Sequence, residues 1–164
     1  MPPASRVQRL VQTADFERVL GAPQRARSPH FAMHFVADQP ARRPAKASTT
    51  VPPAAEGAGA SRLSTADAAA VAQAVDDSHH TGHWLGLVVP KRHARRAVTR
   101  TLLKRQIRAA MGEHAADLAP GLWVVRLRAP FDVRQFRSAA SGVLREAARA
   151  ELDRMMRAAA SALR

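Results

Sequence analysis

Cysteine is absent from the 164 residues. No disulfide framework and no thiolate metal site can be built from this chain, and a reducing compartment is expected. Long apolar runs are missing too. No stretch approaches the roughly 18–20 residues of a helical membrane span. The N-terminal MPPASRVQRLVQTADF lacks the apolar core of a signal peptide. The expectation is therefore a soluble, cytoplasmic protein with no membrane partner. Acids are scarce: 13 Asp and Glu stand against 26 Lys and Arg, a formal charge of +13. Such a surplus repels itself and opposes compaction. A polyanion would neutralise it, and nucleic acid fits better than an anionic membrane surface because counterion release drives binding to closely spaced phosphates.

A chain of this length suits one domain, here interrupted. Residues 38–82, rich in Ala, Pro, Ser and Gly, contain no aromatic residue. Such a segment cannot bury enough apolar surface to offset its ordering entropy, so it reads as a flexible, disordered insertion. Within it, STADAAAVAQAV has a capping-box spacing of Ser64 and Asp67 and could form a marginal helix. The insertion carries a net −1, so the other 119 residues carry +14.

Those other residues alternate between helical and extended patterns. SRVQRLVQTADFERVL (5–20) predicts a helix ended by Gly21 and Pro23. FAMHFVA (31–37), WLGLVVP (84–90) and GLWVVRLR (121–128) predict strands. Residues from about 96 to 113 predict a helix. The tail from 131 predicts one long helix or two, with Gly142 a weak point.

Acids vanish altogether between residues 91 and 108, where Lys91, Arg92, Arg95, Arg96, Arg100, Lys104, Arg105 and Arg108 are concentrated. On a helix, Leu103, Ile107, Ala110 and Met111 fall on one side, towards a sheet. Arg100, Lys104 and Arg108 stack at i, i+4, i+8 on another, which destabilises a helix by a few tenths of a kcal/mol per pair. The four cations before the helix sit at the wrong end of its dipole, beside N–H groups that suit phosphate oxygens. A solvated charged face is the plain reading. With no acid present, a continuous phosphate-binding surface is the better one.

Here LGLVVPKRHARRAVTRTLLKRQIRAAM resembles the signature of the bacterial ribonuclease P protein component, a strand ending Gly-x-x-Val-Ser-Lys-Lys, then Ala-Val and an Arg-Asn-Arg-hydrophobic-Lys-Arg helix. Gly86, Val89, Lys91, Arg92, Ala97, Val98, Arg100, Leu103, Lys104, Arg105, Ile107 and Arg108 keep the pattern. Upstream, DFERVL and FAMHF resemble the family's first helix and next strong strand. Pro90, Ala94, Thr101 and Leu102 stand where the family has Ser, often Gly, Asn and the second Arg.

The resemblance implies an α/β (α+β) sandwich. Its elements run α-β-β-β-α-β-α around a small mixed sheet, with a left-handed β-α-β crossover like the second domain of ribosomal protein S5. It implies a ribonucleoprotein endoribonuclease that removes the 5′ leader from precursor tRNA. In that enzyme a catalytic RNA subunit holds the Mg²⁺, and the protein grips RNA and leader without an obligate protein partner. By the same resemblance Phe16 and His34 match aromatic positions of a leader cleft, and Leu20 stands at a second one. Each has a plainer alternative: Phe16 as core, His34 as an ordinary strand histidine.

The sequence holds no Ser/His/Asp arrangement, glycine-rich phosphate loop or carboxylate cluster of a protein nuclease, so the polypeptide is not expected to be the catalyst itself. The eight acids outside the insertion form no pair beside the basic helix, and Asp15 with Glu17, and Glu151 with Asp153, read as helix-surface charges. His79, His80 and His83 could bind a transition metal but read as an incidental loop. Two further function classes stay open: a general RNA- or ribosome-binding protein, and a self-sufficient metal-dependent nuclease.

Overall fold

The computed structural model describes residues 6–41, 82–138 and 141–162. The flexible reading of the insertion, the helix proposed inside it, and His79 and His80 therefore lie outside the described residues, apart from the insertion's first four positions and Gly82. Eight elements follow in order: β1 (Val7–Arg9), α1 (Thr13–Gly21), β2 (Gln24–Arg27), β3 (Phe31–Val36), β4 (His83–Val88), α2 (Ala97–His114), β5 (Gly121–Leu127) and α3 (Gly142–Ser161).

The strands form one mixed sheet in the order β1-β4-β5-β3-β2. β1, β4 and β5 run parallel, and β3 lies antiparallel between β5 and β2. The fold is α+β, with α2 joining the parallel neighbours β4 and β5. Strand alternation assigns the two faces. Phe31, Met33, Leu85, Trp123, Val125 and Leu127 join the core under α2 and α3. Trp84, Leu122 and Val124 join a smaller core with Val19 of α1.

Two expected helix boundaries are corrected. Residues 7–9 are a strand, not the start of α1. The apolar spacing of Val7, Leu10 and Val11 suits a helical turn, but register with His83, Trp84 and Leu85 of β4 decides the outcome. The tail from 131 is not helical at once. Asp132 caps a turn through the Arg134 N–H at 2.8 Å, and α3 begins only after Ser141. The Ser141 hydroxyl accepts the Leu144 N–H at 3.1 Å, a helix N-cap. Gly142 is thus the first residue of a helix rather than a break within one.

The expected apolar side of α2 is buried as read, with Leu102 beside it. Two acids read as surface charges are not. Asp15, 1% exposed, accepts the Ala41 N–H and pairs with Arg18 at 3.0 Å, and Arg18 reaches on to Asp38 and the Gln39 carbonyl. The start of the proposed insertion is thereby fastened to α1. Glu151 is buried, accepting the His30 N–H at 2.7 Å and the His30 ring at 2.8 Å. Burial raises its carboxyl pKa. Hydrogen bonds from Ser28 and from the backbone and ring of His30 outweigh that and hold it below the ordinary value.

Candidate nucleic-acid interface

The eight cations of residues 91–108 make no ion pair among the described residues; the pairs that form involve Arg18, His30, His114 and Arg149. Lys91, Arg92, Arg95, Arg96, Arg105 and Arg108 are exposed, and Arg100 and Lys104 half-buried. They do not form one continuous stripe. Six of them line three grooves, Lys104, Arg105 and Arg108 from α2 and Arg92, Arg95 and Arg96 from the loop before it. Lys104 and Arg108 turn to the β1–β4 edge and share a groove of about 260 Å³ with Arg9, Phe16, Leu85 and Leu87. Arg105 shares another with Arg145 of α3. Arg92, Arg95 and Arg96 border a third, where Arg137 joins them.

Arg100 corrects the expected i, i+4, i+8 stack. Its guanidinium folds back and donates to the carbonyls of Ala94 (3.0 Å) and Arg95 (2.7 Å). It braces the loop that carries the other arginines. That loop is also closed on itself, because the His93 and Ala94 N–H groups both donate to the Pro90 carbonyl at 3.1 Å.

The face of the sheet towards α1 is thinly covered. Phe16, half-buried, lies so close to Gly86 that a Cβ there would stand 2.5 Å from the ring and 3.0 Å from Val124. Gly86 and His34 both register opposite Val124, from β4 and β3. Two strand spacings, about 10 Å, therefore separate the backbones beneath Phe16 and beneath His34. His34 is 4% exposed, and its Nδ1 lies 2.9 Å from the Ala22 carbonyl. A carbonyl only accepts, so Nδ1 carries the proton. Nε2 is buried with no partner, and so is Nε of Arg126, which points to the same face from β5. Leu20 packs here with Val36 and Val88. Both Phe16 and His34 thus border this face, and Phe16 also reaches the groove of Lys104 and Arg108.

A sequence model of the ribonuclease P family matches residues 4–150. The chain belongs to the ribonuclease P protein family. The ribonuclease P protein components of Burkholderia pseudomallei and Paraburkholderia xenovorans are 41% and 37% identical to it over 76 residues, 46% of this chain and 56% and 55% of theirs. The matched stretch thus spans little more than half the length of these curated relatives. Among solved structures, the ribonuclease P protein of Staphylococcus aureus superposes with a TM-score of 0.53 at 14% identity, covering 93% of this chain and 94% of that one. A second structure from the same organism gives 0.51 at 15% identity, covering 98% and 92%. At that identity the likeness is one of fold.

The departures from the ribonuclease P motif now have physical readings. Leu102 is 8% exposed and packs in the core under α2, so apolar contact stands where the family pattern has a guanidinium. Thr101 is exposed and lines the groove of Arg105 and Arg145. Ala94 is buried at the base of the braced loop.

Among the described residues no three His, Asp or Glu side chains gather as a metal site. His83 is buried, its Nε2 3.0 Å from the Leu118 carbonyl, so it fastens β4 to the α2–β5 connection. Also among the described residues, no helix is long and apolar enough to cross a membrane.

Sequence reasoning missed Arg126 and Arg137. The first was legible: alternation through GLWVVRLR puts residue 126 on the same face as Leu122 and Val124. The second was hidden by reading residues 131–141 as helix.

Proposed function

We propose that this chain is the protein subunit of the ribonucleoprotein ribonuclease P, working in the cytoplasm. It binds the catalytic RNA subunit and the 5′ leader of precursor tRNA. The RNA and the substrate hold the Mg²⁺ that drives hydrolysis, and no side chain of the polypeptide acts on the scissile bond. The observation that carries this reading is the set of eight cations on one loop and helix with no carboxylate partner among the described residues, in a chain of this family. Two of them, Lys104 and Arg108, share a groove with the ring of Phe16. Cation and ring together suit a single strand, phosphates on the ammonium and guanidinium groups and a base on the aromatic face. His34 and Arg126 extend that surface across the sheet, and the loop arginines serve the catalytic RNA.

Reconstitution tests the reading. Precursor tRNA is incubated with Mg²⁺ and the protein, the RNA subunit, or both. Leader removal at low Mg²⁺ is expected only with both. Cleavage by the protein alone would make it a nuclease in its own right. RNA binding with no stimulation of cleavage would make it a general RNA-binding protein.

A further inference from the structure

The third groove has a construction that phosphate binding alone does not require. Its volume is about 490 Å³, within the usual range for small-molecule sites. The floor is apolar: Ala94, Leu103, Phe131 and Leu144 are each no more than 8% exposed. Phe136 forms a wall. Its N–H donates to the Asp132 carbonyl at 2.9 Å, and its ring stands edge-on to Phe131, centroids 5.6 Å apart at 85°. The turn therefore holds Phe136 in place while the ring remains half-buried. The rim is cationic: Arg92, Arg95, Arg96 and Arg137 line the groove and are exposed, and among the described residues no carboxylate lines it.

A flat polyanion could have been held by the arginines alone. An apolar slot with an aromatic wall inside a guanidinium rim matches a ligand that is itself a planar apolar disc on an anionic tether. We infer that this groove receives one unstacked base of a single-stranded RNA segment, the base against Phe136 and its flanking phosphates on the four arginines. The inference rests on the RNA-binding reading above and assigns to it a second base-holding position, on the opposite side of the sheet from Phe16.

The test compares a short oligouridylate with a sugar–phosphate oligomer of the same length that carries no bases, binding each to the full chain by fluorescence anisotropy. Salt dependence is measured in parallel. Phe136→Leu keeps the apolar contact with Phe131 but removes the aromatic face, and circular dichroism checks that it folds. The base-bearing oligomer is expected to bind the wild type more tightly, and Phe136→Leu to cut that preference by about tenfold with the salt slope unchanged. The cut should persist in a Phe16→Leu background, since the two rings serve different grooves.

An unchanged preference in Phe136→Leu, with salt-dependent binding intact, would overturn the inference and leave the RNA-binding reading standing. Failure of the wild type to bind either oligomer would overturn both. An acidic, phenylalanine-containing peptide serves as a third probe. If it competes for the groove while the oligouridylate does not, the groove belongs to a protein partner and the inference is wrong.

Discussion

Among the described residues, twenty-one buried side chains form one cluster on the sheet face beneath α2 and α3, and five do so beneath α1. The first face is sealed by an 18-residue and a 20-residue helix, the second by a nine-residue one. The sealed face leaves no buried polar side-chain atom unpaired among the described residues, whereas the thin face leaves His34 Nε2 and Arg126 Nε without partners. An unsatisfied buried group costs about 1–3 kcal/mol. One sheet therefore does two jobs. One side supplies most of the buried apolar surface; the other bears the job we propose, with the Phe16 ring beside a groove and His34 and Arg126 each leaving a buried nitrogen unpaired.

Mutations on the two faces should separate those jobs. The largest stability loss is expected on the sealed side. Trp123, fully buried with its ring tilted 31° against Phe35 at a centroid distance of 4.3 Å, should cost about 3–5 kcal/mol as Trp123→Ala. Urea melts would show it. A loss under about 1 kcal/mol would mean that this side is not the main core. On the thin side, Gly86→Ala would drive a methyl into the Phe16 ring. Overpacking should cost about 1–3 kcal/mol and weaken single-strand RNA binding by displacing the ring, whereas wild-type affinity would show that the position of Phe16 does not matter.

Glu151 sharpens the comparison through pH. Its pKa is lowered in the fold, so its stabilisation is complete above the ordinary carboxylate value, about 4.3. It is lost as pH falls through the lower folded value. Wild type should therefore lose stability on acidification below about pH 4.3. Glu151→Gln should be weaker at neutral pH, by about 1–3 kcal/mol, and should lose less on acidification. Parallel pH profiles would exclude the carboxylate–His30 pair as a source of acid sensitivity.

The smallest stability effects belong to the cations. Lys104→Ala should change folding by less than about 0.5 kcal/mol while lowering the salt slope of RNA binding by about 0.7 for a single strand or 0.9 for a duplex. Arg100→Ala should instead loosen the braced loop, costing about 1 kcal/mol of folding stability. If Arg100→Ala and Lys104→Ala behave alike, the distinction drawn between brace and contact fails.

Much of this was legible in the sequence, and the exceptions share a cause. The three long strands and α2 were readable because period-2 and period-3.6 patterns run through FAMHFV, HWLGLV, GLWVVRL and the Leu103–Ile107–Ala110–Met111 face. β1 was not, because a three-residue edge strand is decided by a neighbour seventy-odd positions away. Asp15 and Glu151 looked like surface acids since their partners, Ala41 and His30, lie 26 and 121 residues off. For the site, charge counting found the eight cations. It could not show that loop and helix would distribute six of them among three grooves or turn Arg100 inward. The Phe136–Arg137 wall was obscured by a tail whose composition suits a helix throughout, with Ser141 the one local sign that the helix starts late.

The most direct measurement is the affinity of the reconstituted enzyme for precursor tRNA with and without its leader, in wild type and in Phe16→Ala. The account predicts tighter binding of the leader-bearing substrate, and a loss of about 5- to 100-fold of that preference in Phe16→Ala with leaderless affinity unchanged. An equal preference in both proteins would contradict it.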